Sequence, residues 1–450
     1  MHGATTGDRG GLGELLRLAW PTVLARLGIM AMGLTDAIVV GHHSATELGY
    51  HALGWAPTAV VLTTAIGLLI GVQVMAARYV GEGRSADTGM VLRRGLAYGF
   101  WLGIVATAGL YFAGPPLLAL SGLAPDLAAG AAAALRIFAL SLLPYVLCCV
   151  CSFWLEALGR PIPGMVAMWI ANGVNLALNL WLVPGTSGLG VEGAVASAWA
   201  TFGARIALMA MLFGYLWRWA GSRTHGVFAR GGDARDDGRG GEQRRVGYGA
   251  GASYFVETAA FSGMSLVAGL IGSLEVAAWA VVLNVAAIIF MGPLGLSSAT
   301  AVLVGRAYGA RDRAGVLRAG GLGFGVTAAL TALICAIVWP GADLIARGYS
   351  SDPALLRLVA PALVLSCLFF IADGLQVVAA TALRARGDIW LPTAIHVGCY
   401  AIVMLPLGWA LAHPAGLGLD GIVWAVIVAS LLSSGLLLGR FLLLARQPLG

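Results

Sequence analysis

Twelve stretches of this chain are long and apolar enough to cross a bilayer, and this pattern constrains the fold more than any motif does. A hydrocarbon core about 30 Å thick needs about 20 apolar residues in a helix, since lipid offers no partners for open backbone groups. Apolar runs between Gly, Pro and charge clusters predict spans at roughly 15–40, 51–76, 95–120, 128–152, 162–184, 190–217, 248–271, 276–303, 319–346, 355–382, 389–412 and 418–443. Composition agrees: 59% of the 450 residues are apolar and 11% are charged, where a soluble chain carries about 25% charge. The mean hydropathy is +0.87. The expected class is an all-α polytopic membrane protein with twelve transmembrane helices. The first apolar stretch runs on to full spanning length, so Met1–Arg9 is not read as part of a cleavable signal.

Arginine placement sets an expected topology. All 27 basic residues are Arg. With both termini in the cytoplasm, 22 fall on the inner side, Arg136, Arg347 and Arg357 fall outside, and Arg26 and Arg205 fall within spans. That asymmetry follows the positive-inside rule of a bacterial inner membrane, and it accounts for the net charge of +6 without a nucleic-acid partner. The six cysteines, in or beside apolar spans, have no metal-ligand spacing and read as buried thiols.

The chain is also written twice. GLGVEG at 188–193 and GLGLDG at 416–421 are 228 residues apart. The same offset lays Arg78-x-x-Gly81 on Arg306-x-x-Gly309, and Ile66-Gly67-Leu68 on Leu294-Gly295-Leu296. The expected organisation is an N-terminal lobe (1–219, spans one to six), a flexible cytoplasmic linker rich in Gly, Arg and Asp (220–247), and a C-terminal lobe (248–450, spans seven to twelve). An even number of spans per half gives both halves one orientation. The two six-helix lobes are then related by a pseudo-two-fold axis along the membrane normal, a transporter layout with a cavity between the halves.

Three acids lie alone inside apolar spans: Asp36, Glu257 and Asp373. Each costs about 2.5–3.5 kcal/mol at a helix centre on insertion scales, which points to a use. None has an acidic counterpart under the repeat, since Met264, Ile29 and Tyr145 stand at the matching positions. Glu257 and Asp373 are each about nine residues from the inner end of their span, a matched depth near 14 Å. They could share a proton or a small cation such as Na⁺, with Asn284 and Gln376 adding neutral oxygens. Asp36 reads as a second protonation site in the N-terminal lobe, or else as an interfacial acid that stays hydrated. Asn172, Asn175 and Asn179 share one face of span five and suit either cavity lining or interhelical hydrogen bonding. Glu156 is expected to pair locally with Arg160, and Arg26 with Glu156 or Asp36. His396, read as the one histidine within a span, is expected to have a hydrogen-bonded structural role. No P-loop, nucleophile elbow, His/Cys cluster or Asp-rich diphosphate motif occurs, so no enzyme activity and no cofactor are expected.

Several stretches carry a family resemblance. LLRLAWPTVLARLGIMAMGLTDAIVVGHHSATELG (15–49), EALGRPIPGMVAMWIANGVNLALN (156–179), residues 254–309 from YFVETAAF to GRAYG, and ADGLQVVAATALRARGDIWLP (372–392) resemble the multidrug and toxic compound extrusion (MATE) transporters, closest to their NorM-type branch. The resemblance implies a cation-coupled antiporter, working as a monomer, that admits Na⁺ or H⁺ and exports amphiphilic, often cationic, small molecules. It implies Asp36 as the N-lobe acid and Glu257 with Asp373 as the C-lobe cation site. Phe369 stands four residues before Asp373, where the family often has a phenol, and Arg26 replaces an expected neutral polar residue. The alternatives are a lipid-linked glycan flippase of the same layout, which would want a more basic cavity, and an exporter of an endogenous secondary metabolite.

Overall fold

The computed structural model describes residues 11–120, 122–229 and 238–447. Among them are twelve helices long and apolar enough to span a membrane. They are α1 (Leu12–His43), α2 (Ala45–Gly81), α3 (Ser85–Ala119), α4 (Pro125–Ala157), α5 (Ile162–Leu182), α6 (Gly193–Arg218), α7 (Gly240–Ile271), α8 (Ser273–Gly309), α9 (Arg313–Tyr349), α10 (Pro353–Arg386), α11 (Trp390–Ala412) and α12 (Gly418–Ala445). Each coincides with one predicted span, and most run further because charged ends continue the helix beyond the apolar run. Side chains cap several starts: Ser44 accepts from Glu47 N, Asp312 from Gly315 N and Asp352 from Ala354 N.

Two helices depart from regular α geometry. In α4, Ser141 interrupts the helix between Leu140 and Leu142, where Pro144 cannot donate to the carbonyl one turn earlier. In α11, Val397–Met404 is π-helical, which turns the following side chains relative to an α-helical course. All six cysteines are buried and unbonded to each other.

Packing divides the chain into two compact units of six helices each. One runs from Leu24 to Gly247; the other takes the described residues up to Val23 together with Tyr248 onward. The division thus passes through α7 at 247–248, where the C-terminal lobe was expected to begin, and through α1 after Val23, within the expected N-terminal lobe. Helix α7 begins at Gly240, so the last two turns of the predicted linker are helical; residues 230–237 of that linker lie outside the described residues. Close backbone approach explains the packing of these turns. Gly71 leaves no room for a Cβ against the Gln243 carbonyl, nor Gly247 against that of Leu68. In the other unit Gly295 lies against the Val23 backbone in the same way.

The duplication is visible in detail. Gly188 and Gly190 have φ of 73° and 69°, and their repeat mates Gly416 and Gly418 have 69° and 56°, a left-handed turn that favours glycine. Arg78 pairs with Glu242 at 2.6 Å. Arg306 pairs with Glu14 at 3.1 Å, and both of its members are the first pair displaced by 228.

Candidate functional site

In the unit spanning Leu24–Gly247, Gly28 brings α1 against α5. A Cβ there would stand 2.6 Å from the Met168 side chain, and Asn172 Nδ2 donates to the Gly28 carbonyl at 3.0 Å. Two turns further along α1, Asp36 faces the same helix. Its Oδ1 accepts from Asn179 Nδ2 at 2.7 Å and Asn175 Nδ2 at 2.9 Å. Its Oδ2 accepts from Thr201 Oγ1 of α6 at 2.6 Å. Asp36 is 3% exposed, which overturns the reading of a hydrated interfacial acid. The asparagine face makes interhelical hydrogen bonds: Asn172 ties α1 to α5, and Asn175 and Asn179 converge on the acid.

In the other unit, Gly374 lets α10 approach Pro293 of α8 and Thr327 and Thr331 of α9, fixing the turn that carries Asp373. Gln376 Nε2 donates to Glu257 Oε1 at 3.1 Å and to Asp373 Oδ1 at 3.3 Å. One amide therefore bridges the two acids that matched depth had grouped. Tyr400 Oη, from the π-helical part of α11, donates to Asp373 Oδ1 at 3.2 Å. This phenol reaches Asp373 from another helix, while Phe369 at the family's usual position is buried against Phe370. Asn284 is exposed on α8 and makes none of these bonds. Glu257 and Asp373 thus share one amide N–H₂ donor, and Asp373 also takes the Tyr400 hydroxyl, so two carboxylates gather with neutral donors only.

Neutral groups thus hold the three acids, whereas the other intramembrane charges are held differently. Glu156 Oε1 lies 3.8 Å from Arg26 Nη2, and its Oε2 accepts from Gln73 Nε2 at 2.6 Å. Arg26 thus pairs with Glu156, as one reading expected. Arg160 does not make the expected local pair; it lies 4.6 Å above the Trp219 ring and donates to Tyr215 Oη. Arg205 is 2% exposed, stacks 4.6 Å from the Tyr145 ring, and donates to Ser141 Oγ at 2.7 Å.

His396 is 1% exposed and neither ring nitrogen makes a hydrogen bond, against the expected role; its ring meets Tyr400 edge-on at 5.8 Å. His51 is a second buried histidine within a spanning helix, edge-on to Phe138 at 5.2 Å. Thr201 and Tyr400 were not singled out from sequence. Thr201 is one of several hydroxyls in apolar helices, and Tyr400 reaches Asp373 from within a π-helical segment.

Fold and site define a duplicated twelve-helix membrane carrier with a buried carboxylate group in each half. The MatE family model matches the chain twice, over residues 21–181 and 250–410. A probable multidrug resistance protein NorM of Caulobacter vibrioides is 55% identical over 96% of this chain and 91% of the relative. The multidrug resistance protein PmpM of Pseudomonas aeruginosa is 31% identical over 90% of this chain and 84% of that protein. Among solved structures, a MOP superfamily transporter from Pyrococcus furiosus aligns with a TM-score of 0.88 at 19% identity, covering 99% of this chain and 100% of that one. An outward-facing multidrug resistance MATE family transporter aligns at 0.87 and 18%, covering 99% of each. The chain belongs to the MatE family of membrane transporters and is of the NorM type.

Proposed function

We propose that this transporter is a secondary active exporter, exchanging amphiphilic, often cationic, organic compounds or drugs for Na⁺ or H⁺ by alternating access. Relatives named as multidrug resistance proteins support the export of drugs. The observation that carries ion coupling is the way the acids are held. A buried acid with a purely structural task is best placed on a cation, as Glu156 is with Arg26. Asp36, Glu257 and Asp373 are hydrogen-bonded by neutral amides and hydroxyls instead. Such partners can turn to accept as well as donate, so they accommodate both the loaded and the empty acid.

Substrate and ion need not touch; each need only prefer the opposite conformational state. One charge moving down 100 mV supplies about 2.3 kcal/mol, and one unit of pH gradient adds about 1.36 kcal/mol. Export to the outside fits an inner-membrane carrier with both termini in the cytoplasm, the orientation that arginine placement favours.

The test is dye efflux from proteoliposomes under separately imposed Na⁺ and H⁺ gradients. At least one gradient should drive efflux, and Asp36→Asn and Asp373→Asn should each slow it at least 10-fold. If neither gradient drives efflux and Asp373→Asn changes nothing, the proposal fails.

A further inference from the structure

The open ends of α9 and α10, which arginine placement assigns to the outer leaflet, enclose a groove of about 440 Å³. Its lining is layered. Arg347, Arg357 and Asp343 stand at the polar end, and Ala360, Val364 and the ring of Trp339 line the apolar part. Trp339 precedes Arg347 by eight residues of α9, about 12 Å along the helix, so the polar and apolar parts occupy different depths. The chain places three arginines outside, and two of them border this one groove. Outward arginine runs against the charge bias of membrane loops, so the pairing asks for a local purpose.

The charges are not spent on each other. Asp343 and Arg347 are four residues apart on α9, a spacing that permits an ion pair, yet among the described residues neither enters a salt bridge. Arg357 turns Nε to its own Pro353 carbonyl at 3.2 Å and lines the groove. All three charged side chains are exposed. The groove therefore presents two guanidinium groups and one separate carboxylate above an apolar wall that includes the Trp339 ring.

We propose that this groove binds a phospholipid with a phosphoethanolamine headgroup from the outer leaflet. Arg347 and Arg357 take the phosphate diester, for which the guanidinium fork is suited. Asp343 accepts from the primary ammonium, and an acyl chain lies along Ala360, Val364 and Trp339. A glycerol headgroup satisfies the arginines and leaves Asp343 without a cation. A choline headgroup brings a cation that has no N–H to donate. The site thus ranks headgroups by the ammonium as well as the phosphate.

The test is native mass spectrometry of the full-length detergent-purified protein with phosphatidylethanolamine, phosphatidylglycerol or phosphatidylcholine of identical acyl chains. Phosphatidylethanolamine should be retained at least threefold over the other two. R347Q/R357Q should lower its retention to the phosphatidylcholine level. D343N, which leaves both arginines in place, should abolish the preference over phosphatidylglycerol and over phosphatidylcholine alike. Glycerophosphoethanolamine, the same headgroup without acyl chains, should not compete at equal concentration. Equal retention of the three lipids, a preference that survives D343N, or competition by the free headgroup would each overturn the assignment. Dye efflux by the D343N protein, if retained, shows that its fold is intact and that the lipid result stands apart from the coupling acids.

Discussion

Asp36 has three neutral donors for its two carboxylate oxygens, and they come from two helices. Hydrogen bonds to a charged group contribute about 1.5–3 kcal/mol each. Thr201→Val removes the shortest of the three and keeps the side-chain shape. It should lower thermal stability by an amount in that range and slow efflux severalfold, both measurable on purified protein; unchanged efflux would separate Thr201 from coupling. Gln376 offers a sharper contrast because a single amide nitrogen serves Glu257 and Asp373 together. Gln376→Leu should leave two carboxylates facing an apolar side chain and abolish gradient-driven efflux, while Gln376→Asn, with its shorter reach, should retain part of it.

These contacts show what a sequence can reveal at this scale. The cost of a lone acid in lipid marks Asp36, Glu257 and Asp373, and helical period gathers Asn175 with Asn179. Neither rule reveals which hydroxyl of a distant helix completes the group, so Thr201 and Tyr400 were missed. The i+4 rule also favoured Arg160 for Glu156, but Arg26 from another helix lies nearer the acid within the unit.

At the scale of elements, α1 and α7 matter most. The division between the packed units passes through both, and their first turns are fastened by repeat-related pairs, Glu14 to Arg306 and Glu242 to Arg78. Exposed ion pairs contribute little, but here the arginine side chains are largely buried, at 20% and 4% exposure. Losing the acid takes an opposite charge away from a largely buried guanidinium. Glu14→Arg should destabilise the protein measurably in a thermal melt, and the double variant Glu14→Arg/Arg306→Glu should recover at least half of the loss. No recovery would mean that the pair does not fasten α1. A second element-level prediction concerns α11. Deleting Val397 should convert the π segment to a plain α-helix and rotate Tyr400 by about 100°. The Asp373 contact should then be lost, with efflux reduced at least as far as by Tyr400→Phe. The apolar pattern predicts the existence of each helix well, because lipid dictates length and hydropathy. It does not predict the π turn or the break at Ser141, which depend on tertiary fit rather than on period.

At the scale of the whole molecule, the repeat supplies two similar six-helix units, and the acids make them chemically unlike. One unit carries a single carboxylate with amide and hydroxyl donors; the other carries a pair joined by one amide. The 228-residue offset was legible because loops and helix ends conserve glycine and charge, as in Gly188 with Gly416 and Arg78 with Arg306. Of the two places where the chain passes between packed units, the one after Gly247 is where the sequence placed the start of the C-terminal lobe, whereas the one after Val23 was not legible. Both fall inside continuous helices, and at Val23 only close backbone packing marks the crossing.

The central claim is that buried carboxylates in these units load an ion in opposition to the exported compound. The most direct measurement is ion release when a transported dye is added to purified protein in lightly buffered detergent, read by a pH indicator for H⁺ and by radiolabelled Na⁺ for sodium. Wild-type protein should release one of the two ions on dye binding. Asp36→Asn and the double variant Glu257→Gln/Asp373→Asn should each release less at saturating dye. Dye binding that releases neither ion, or release that is undiminished in both variants, would contradict the account.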